Sequence, residues 1–189
     1  MADLLSKTDE GLMLLAGKGN KKALELLVEK YNKPLINYFY KHLYNVEDAK
    51  DFTQQTFLQI HKSAKRYRQL SKFTTWMYTI ARNIYINEIA RRQKVRFISL
   101  EDTGDKGTGK NIVEDAVAKK DTAAIVREVV NKLPAEYKDV LILQVYQELK
   151  CCEIAKILKI PEGTVWSRLH YGMKIFKKEY IKRVGKNEM

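Results

Sequence analysis

Residues 146–178 constrain the fold most, because they read as two short amphipathic helices separated by a tight break. The first helix carries apolar residues at helical spacing, namely Ile154, Ala155 and Leu158. The break contains Pro161, which can begin the next helix because its missing N–H would be unpaired there in any case. The second helix has an apolar stripe formed by Val165, Leu169, Met173 and Phe176. This pattern is typical of a helix-turn-helix that places its second helix in a DNA major groove, and also of an ordinary helical hairpin.

The distribution of charge favours nucleic acid as a partner. The net charge is +12, yet residues 1–61 are electrically balanced. Residues 62–96 contain ten basic residues and a single acidic one, Glu88, and the chain is basic again after residue 130. A distribution this one-sided is better explained by a polyanionic binding partner than by a surface that is merely solvated. Rings that could stack on unpaired bases lie among the first group of cations, although most of them are also candidate core residues: Tyr67, Phe73, Trp76, Tyr78 and Tyr85.

Residues that could carry catalysis or bind a metal are sparse. Cys151 and Cys152 are adjacent, and neighbouring helical positions point to different faces, which argues against a disulfide or a zinc pair. The three histidines, His42, His61 and His170, lack ligand spacing. A metal-dependent nucleic-acid enzyme needs clustered carboxylates or a placed nucleophile. We therefore expect a protein that is not an enzyme, with no catalytic residues, no metal and no cofactor.

The chain also lacks the signals of a membrane or secreted protein. No apolar run approaches the length needed to cross a bilayer. The first ten residues do not show the basic, apolar and small-residue order of a secretion signal. We expect a cytoplasmic protein without membrane insertion.

Apolar residues recur at helical spacing along most of the chain, which predicts an all-α fold. Pro34 is expected to kink or restart one helix, and Ser71 is a candidate N-cap for a helix over 73–93. A glycine-rich polar stretch then predicts a flexible linker. The predicted organisation is two small helical bundles, residues 1–95 and 122–189, joined by the linker 96–121.

Four motifs in this order resemble those of bacterial extracytoplasmic-function (ECF) sigma factors: DAKDFTQQTFL (48–58), FTTWMYTIARN (73–83), LPAEYKDV (133–140) and EIAKILKIPEGTVWSRL (153–169). The resemblance covers residues 9–183, and its spacing and charged linker agree as well. It implies that residues 1–95 correspond to sigma region 2 and residues 122–189 to region 4.

The resemblance also implies a function and partners. Region 2 would bind core RNA polymerase through its large subunit and open the −10 element, holding the non-template single strand. Region 4 would read the −35 element as duplex and rest on the flap of the other large subunit. An anti-sigma factor is a further expected partner. The alternative is a free-standing helix-turn-helix regulator that binds duplex operators, although such a protein has no need of a second basic bundle.

The resemblance assigns roles to particular residues of this chain. Four would lie at or support the polymerase contact: Asp48, Asp51, Gln54 and Phe57. Tyr67, Arg68 and Asn83 would form the pocket for a flipped −10 base, and Lys72, Arg82, Arg91 and Arg92 would hold phosphates. On the second helix of the helix-turn-helix, −35 contacts would come from Thr164, Trp166, Ser167, Arg168, His170, Tyr171 and Lys174.

Three residues depart from the family pattern. Lys50 stands where an acidic residue is common, which can alter the polymerase-facing surface. Trp166 and Tyr171 replace common basic residues, so bidentate arginine–guanine contacts are absent there. We expect −35 reading through Ser167, His170 and Tyr171, with phosphate contacts from Thr164, Arg168 and Lys174. Two alternatives remain open at this stage, since Trp166 can instead pack on a neighbouring helix and Arg168 can form a structural ion pair.

Overall fold

The computed structural model describes residues 2–103 and 122–185, and over those ranges the chain contains helices and turns but no β-strand. The all-α prediction is confirmed. Residues 104–121, most of the predicted flexible linker, lie outside the described residues. The helices are α1 (Ala2–Leu5), α2 (Asp9–Gly17), α3 (Lys21–Leu43), α4 (Val46–Ser63), α5 (Phe73–Thr103), α6 (Thr122–Lys132), α7 (Ala135–Leu141), α8 (Cys151–Leu158) and α9 (Glu162–Gly185).

The first bundle consists of α2 to α5, packed around apolar side chains from all four helices. Three of these helices begin at a side-chain cap: Thr8, Asn20 and Asn45 each accept a hydrogen bond from a backbone N–H of the first turn. The inward faces of all four helices bury apolar side chains: Met13, Leu27, Leu35, Phe39, Phe52, Ile60, Phe73 and Met77. Burial of these apolar faces drives the packing of the bundle.

Two local features shape helices α2 and α3 of the first bundle. Helix α3 runs as one element through Pro34, so the helix does not restart there. Gly17, the last residue of α2, lies against the short 3₁₀ turn Ala64–Arg66. A Cβ on Gly17 would come within 2.5 Å of the backbone oxygen of Ala64, so this crossing requires glycine.

Helix α5 begins and ends differently from the sequence-based expectation. The predicted cap, Ser71, bonds instead to the carbonyl of Lys72, and the backbone N–H of Phe73 donates to Oε1 of Glu10 at 2.7 Å. A carboxylate from α2 therefore holds the start of α5, and it adds a favourable negative charge at the positive end of the helix. The helix continues to Thr103 because no glycine or proline follows Phe73 until Gly104.

The second bundle consists of α6 to α9. Helix α7 passes directly into one π-helical turn, Ile142–Tyr146, before α8 and α9 form the helix-turn-helix. Lys159 adopts a left-handed conformation (φ 55°) in the turn between them. The inner stripe of α9 contains Val165 and Leu169, as the sequence pattern predicts.

The predicted apolar stripe of α9 is wrong at Met173, whose side chain is 50% exposed. Gly172 takes the inward position instead. A Cβ there would lie 3.1 Å from Cδ1 of Leu141 and 3.2 Å from Cβ of Tyr137. The missing side chain lets α7 approach α9 closely, while Met173 borders an apolar groove together with Val130 and Phe176.

The two bundles pack against each other. Their buried residues form one continuous apolar cluster, which extends from Leu12 in α2 to Leu169 in α9. Helix α5 contacts α8, and α3 contacts the π-helical turn. In the part of the chain that the structure describes, no helix is both long and apolar enough to cross a membrane.

Candidate nucleic-acid interface

The loop before α5 holds the first of the predicted −10 residues. Tyr67 is only 3% exposed, its ring packs edge-on against Trp76 with centroids 4.9 Å apart, and its buried hydroxyl has no hydrogen-bond partner. The neighbouring Arg68 is exposed, and its guanidinium donates to the carbonyl of Tyr67 at 3.4 Å. Tyr67 thus supports the loop from below, whereas Arg68 and the exposed Leu70, which the sequence analysis missed, form its surface.

The aromatic residues of the first basic segment face the interior. Tyr67, Phe73 and Tyr78 are buried, and Trp76 and Tyr85 are half-buried and packed on the core. The alternative that most of these rings belong to the core is therefore the one realised, and they do not offer stacking surfaces among the cations. The four rings on α5 follow its inward face at helical spacing.

Asn83 is exposed on α5, whereas two predicted phosphate-binding cations are paired with carboxylates of the second bundle. Lys72 Nζ lies 2.8 Å from Oε1 of Glu153 in α8. Arg82 Nε donates to Oδ2 of Asp139 in α7 at 3.3 Å. The predicted −10 surface thus lies at the junction of the two bundles.

The other two predicted phosphate-binding residues are held on the surface of the first bundle. Arg91 and Arg92 both donate to Glu88, and these hydrogen bonds lower the pKa of Glu88 to about 2. Arg92 also makes a bidentate pair with Asp48, at 2.8 and 2.9 Å, which lowers the pKa of that carboxyl. Arg92 and Asp48, predicted to bind DNA and polymerase respectively, are therefore linked.

The four residues predicted to contact polymerase lie on α4. Asp51 and Gln54 are exposed, while Asp48 and Phe57 are half-buried. Leu58 lies one turn beyond Gln54 with 58% of its surface exposed, and the sequence analysis missed it. The sequence did indicate Leu58, because Asp51, Gln54 and Leu58 share one face of the helix by their spacing.

Helix α9, the second helix of the helix-turn-helix, presents two aromatic residues to solvent. Trp166 is 60% exposed and Tyr171 is 53% exposed, so Trp166 does not pack on a neighbouring helix. The rings of His170 and Tyr171 meet edge-on with centroids 5.5 Å apart. Trp166, His170 and Tyr171 are thus all exposed on α9.

Two polar residues of α9, Ser167 and Arg168, have partners within the protein. Ser167 Oγ donates to the carbonyl of Thr164 at 3.0 Å, within the same helix. Arg168 lies 3.6 Å from Glu136 of α7, so the alternative of an ion pair is realised, although Arg168 stays half-exposed. Lys174 is exposed. Such a surface pair contributes little to stability and leaves the guanidinium able to exchange partners.

Among residues 2–103 and 122–185, no group of three or more histidine, cysteine or acidic side chains could hold a metal ion. Cys151 is buried and Cys152 is exposed, and both are free thiols. The arrangement offers cations, amides and exposed rings, which are the side chains that bind phosphates and bases.

Comparison with known families identifies both bundles. Residues 27–95 match Sigma-70 region 2, and residues 123–175 match Sigma-70, region 4. The ECF RNA polymerase sigma factor SigW of Bacillus subtilis is 31% identical over 170 residues, which cover 86% of this chain and 91% of SigW. The RNA polymerase sigma-H factor of Pseudomonas aeruginosa is 29% identical, covering 88% of this chain and 90% of that protein.

Solved structures share the fold at lower identity. CnrH in complex with the cytosolic domain of CnrY is similar with a TM-score of 0.68 and 18% identity, over 91% of this chain and 96% of that chain. The sigma factor RpoE of Bartonella quintana, in complex with the anti-sigma factor NepR, is similar with a TM-score of 0.69 and 16% identity, over 84% of this chain and 96% of that chain.

Proposed function

This chain belongs to the ECF subfamily of RNA polymerase sigma factors, the subunits that direct the enzyme to promoters, and we propose the residues by which it does so. The observation that carries the proposal is the presence of two separate candidate DNA surfaces. One lies on the loop 67–72 and α5, and the other on α9 of the helix-turn-helix. A regulator that binds duplex operators through a helix-turn-helix has no use for the first surface.

The first bundle would bind core polymerase through the exposed face of α4. Asp51 and Gln54 supply polar contacts, and Leu58 adds an apolar contact on the same face. Asp48 acts through its bidentate pair with Arg92, which fixes α4 against α5. Phe57 is half-buried and supports this face from within.

The −10 element would be opened on the loop 67–72 and on α5. Unstacking a base costs a few kcal/mol, and a pocket that captures the extruded base offsets this cost. Asn83 is exposed on α5 and can hydrogen-bond such a base, and Arg68 is exposed on the loop that rests on the buried Tyr67. Lys72, Arg82, Arg91 and Arg92 would hold the strand by its phosphates, whatever its sequence.

The −35 element would be read by α9 in the major groove. Trp166, His170 and Tyr171 offer apolar and edge contacts, for example to thymine methyl groups, and Ser167 offers a hydroxyl. Thr164, Arg168 and Lys174 would position the helix on the backbone. In this scheme the protein supplies promoter specificity in the cytoplasm, while the chemistry of RNA synthesis stays with the polymerase.

Reconstitution with core RNA polymerase tests the proposal. The protein is added to core enzyme and genomic DNA, and the 5′ ends of the transcripts are mapped. We expect start sites preceded by two shared upstream elements. A transcript pattern unchanged from core enzyme alone would favour the operator-binding alternative instead.

A further inference from the structure

Helix α2 contacts both ends of the loop 67–72, which belongs to the proposed −10 surface. At the end of the loop, the backbone N–H of Phe73 donates to Oε1 of Glu10 at 2.7 Å. Before its start, the backbone oxygen of Ala64 lies so close to Gly17 that a Cβ there would be 2.5 Å away. Glu10 and Gly17 are seven positions apart, so they lie on one face of α2, about 10 Å apart along its axis.

The start of α2 is itself fixed to α3. Nζ of Lys30 and the hydroxyl of Tyr31 both donate to the carboxylate of Asp9, at 2.7 and 2.5 Å. The ring of Tyr31 also meets the ring of Phe73, with centroids 5.4 Å apart. Met13, in the middle of α2, is fully buried in the core. Helix α2 is therefore a firm support, and Phe73 is held through both its backbone and its side chain.

Between its two ends, the loop exposes most of its side chains. Arg68, Gln69 and Lys72 are exposed, and Leu70 exposes 89% of its surface, whereas Tyr67 is buried. An exposed segment has little burial of its own to fix its shape. The conformation of this loop therefore depends on where its ends are held.

The carboxylate of Glu10 is a strong anchor for the end of the loop. The N–H of Phe73 belongs to the first turn of α5, where backbone N–H groups have no partner within the helix. A carboxylate forms a charge-assisted hydrogen bond there, and the helix dipole favours its negative charge. Without Glu10, the N–H of the buried Phe73 would lose this partner, and the first turn of α5 would be free to shift together with the loop.

We propose that α2 braces the loop 67–72, with Glu10 as a positioning residue that keeps the loop in the shape that receives an extruded −10 base. Selection of a base needs contacting groups that are held to within about 0.5 Å, so a loop with a free end would discriminate poorly. Glu10 acts through Phe73 and does not itself contact DNA. The inference rests on the proposed function, because it assumes that the loop takes part in −10 recognition.

Two substitutions of Glu10 separate the hydrogen bond from the rest of the side chain. Glu10→Met keeps the length of the side chain and is a good helix former, but it lacks the acceptor. Glu10→Gln keeps an acceptor oxygen and loses only the charge. The control is Asn20→Ala, which removes the cap of α3, a helix that carries no predicted −10 residue. Circular dichroism and urea denaturation first establish that each variant is folded.

Each protein is combined with core polymerase and a promoter found by transcript mapping, in which every base of the −10 element is replaced in turn. Permanganate footprinting gives the fraction of open complex. We expect Glu10→Met to reduce the preference at one −10 position by about tenfold, the order of one lost base contact. Glu10→Gln and Asn20→Ala should keep the wild-type preference.

Three results would overturn the brace. One is a Glu10→Met variant that selects −10 bases as wild type does. Another is a loss of open complex that is uniform for all −10 sequences. The third is an equal loss of preference in Glu10→Gln or in Asn20→Ala, because the first keeps the hydrogen bond and the second destabilises the bundle elsewhere.

Hydrogen exchange followed by NMR tests the brace in the unaltered protein, and it does not depend on whether Glu10→Met folds. The amide of Phe73 should exchange at least about a hundredfold more slowly than in an unfolded peptide, because Glu10 holds it. Exchange at the rate of the unfolded peptide contradicts the brace.

The brace and the proposed function fail separately. If wild type supports no promoter-dependent initiation with core polymerase, the proposed function fails. If wild type initiates and selects a −10 base, but Glu10→Met selects it equally well, only the brace fails.

Discussion

Nε of Arg82 lies 3.3 Å from Oδ2 of Asp139, a residue 57 positions later in the chain and on the other bundle. The pair joins α5, on which we propose that the −10 element is opened, to α7, which supports the helix-turn-helix. The two halves of the proposed promoter-binding surface are therefore connected through an ion pair.

Replacing Asn83 by alanine should impair opening of the −10 element. Asn83 is exposed on α5, and its amide can both donate to and accept from an extruded base. Losing such contacts costs about 1.4 kcal/mol, or tenfold in the fraction of open complex. Permanganate footprinting of the polymerase complex measures this fraction. Asn87→Ala, one turn further along the same exposed face, is the matched control and should open promoters as wild type does.

Replacing Trp166 by alanine should change promoter preference more than general affinity. The exposed indole of Trp166 on α9 carries no charge, so we expect it to contact the surface of the groove more than the phosphates. We expect a change of about 1–3 kcal/mol between −35 sequences, in the range of one base contact. Competition binding of polymerase complexes to a −35 sequence library measures it. Ile181→Ala, an exposed apolar residue near the end of the same helix, is the control. A uniform loss for all sequences would contradict the base-reading role.

Replacing Gly17 by alanine should destabilise the first bundle. The new Cβ would meet the backbone oxygen of Ala64 at 2.5 Å, and backbone cannot move aside as a flexible side chain can. Overpacking of this kind costs about 1–3 kcal/mol. Urea denaturation measures the loss. Gly163→Ala in the first turn of α9 has open space around it and should be neutral or stabilise slightly, since alanine favours helix.

Replacing His42 by phenylalanine should weaken the dependence of stability on acid pH. Burial, with nearby Lys138 and Arg82, lowers the pKa of His42 from 6.5 to about 3. The unfolded chain binds a proton below about pH 6.5 and the folded chain does not, so stability is complete above that pH and falls as the pH approaches 3.

Wild type should lose about 2 kcal/mol more than His42→Phe between pH 7 and pH 5. Urea denaturation at a series of pH values gives this difference. Phenylalanine keeps a ring against Tyr38 and Tyr85 and removes the unpaired Nε2. Parallel pH curves for the two proteins would show that His42 does not titrate in this way.

The sequence was sufficient to predict the helices and the helix-turn-helix, because these follow from local periodicity and from breakers such as Pro161. It failed where an outcome depends on a distant partner. Glu10 holds the start of α5 from 63 positions away, and Gly172 faces inward only because α7 crosses there. The pairing of Lys72 with Glu153 likewise depends on how the bundles dock. No periodicity encodes that docking, so a predicted DNA-binding cation and its internal carboxylate could not be matched in advance.

The chain has two tryptophans, and the fold places one in each bundle. Trp76 is half-buried against Tyr67 at the loop 67–72, whereas Trp166 is exposed to solvent on α9. Trp76 should therefore emit fluorescence at a shorter wavelength than the exposed Trp166. An unlabelled sample thus carries one optical reporter on each proposed DNA-binding surface, and the order in which the two signals change would give the order of the binding steps.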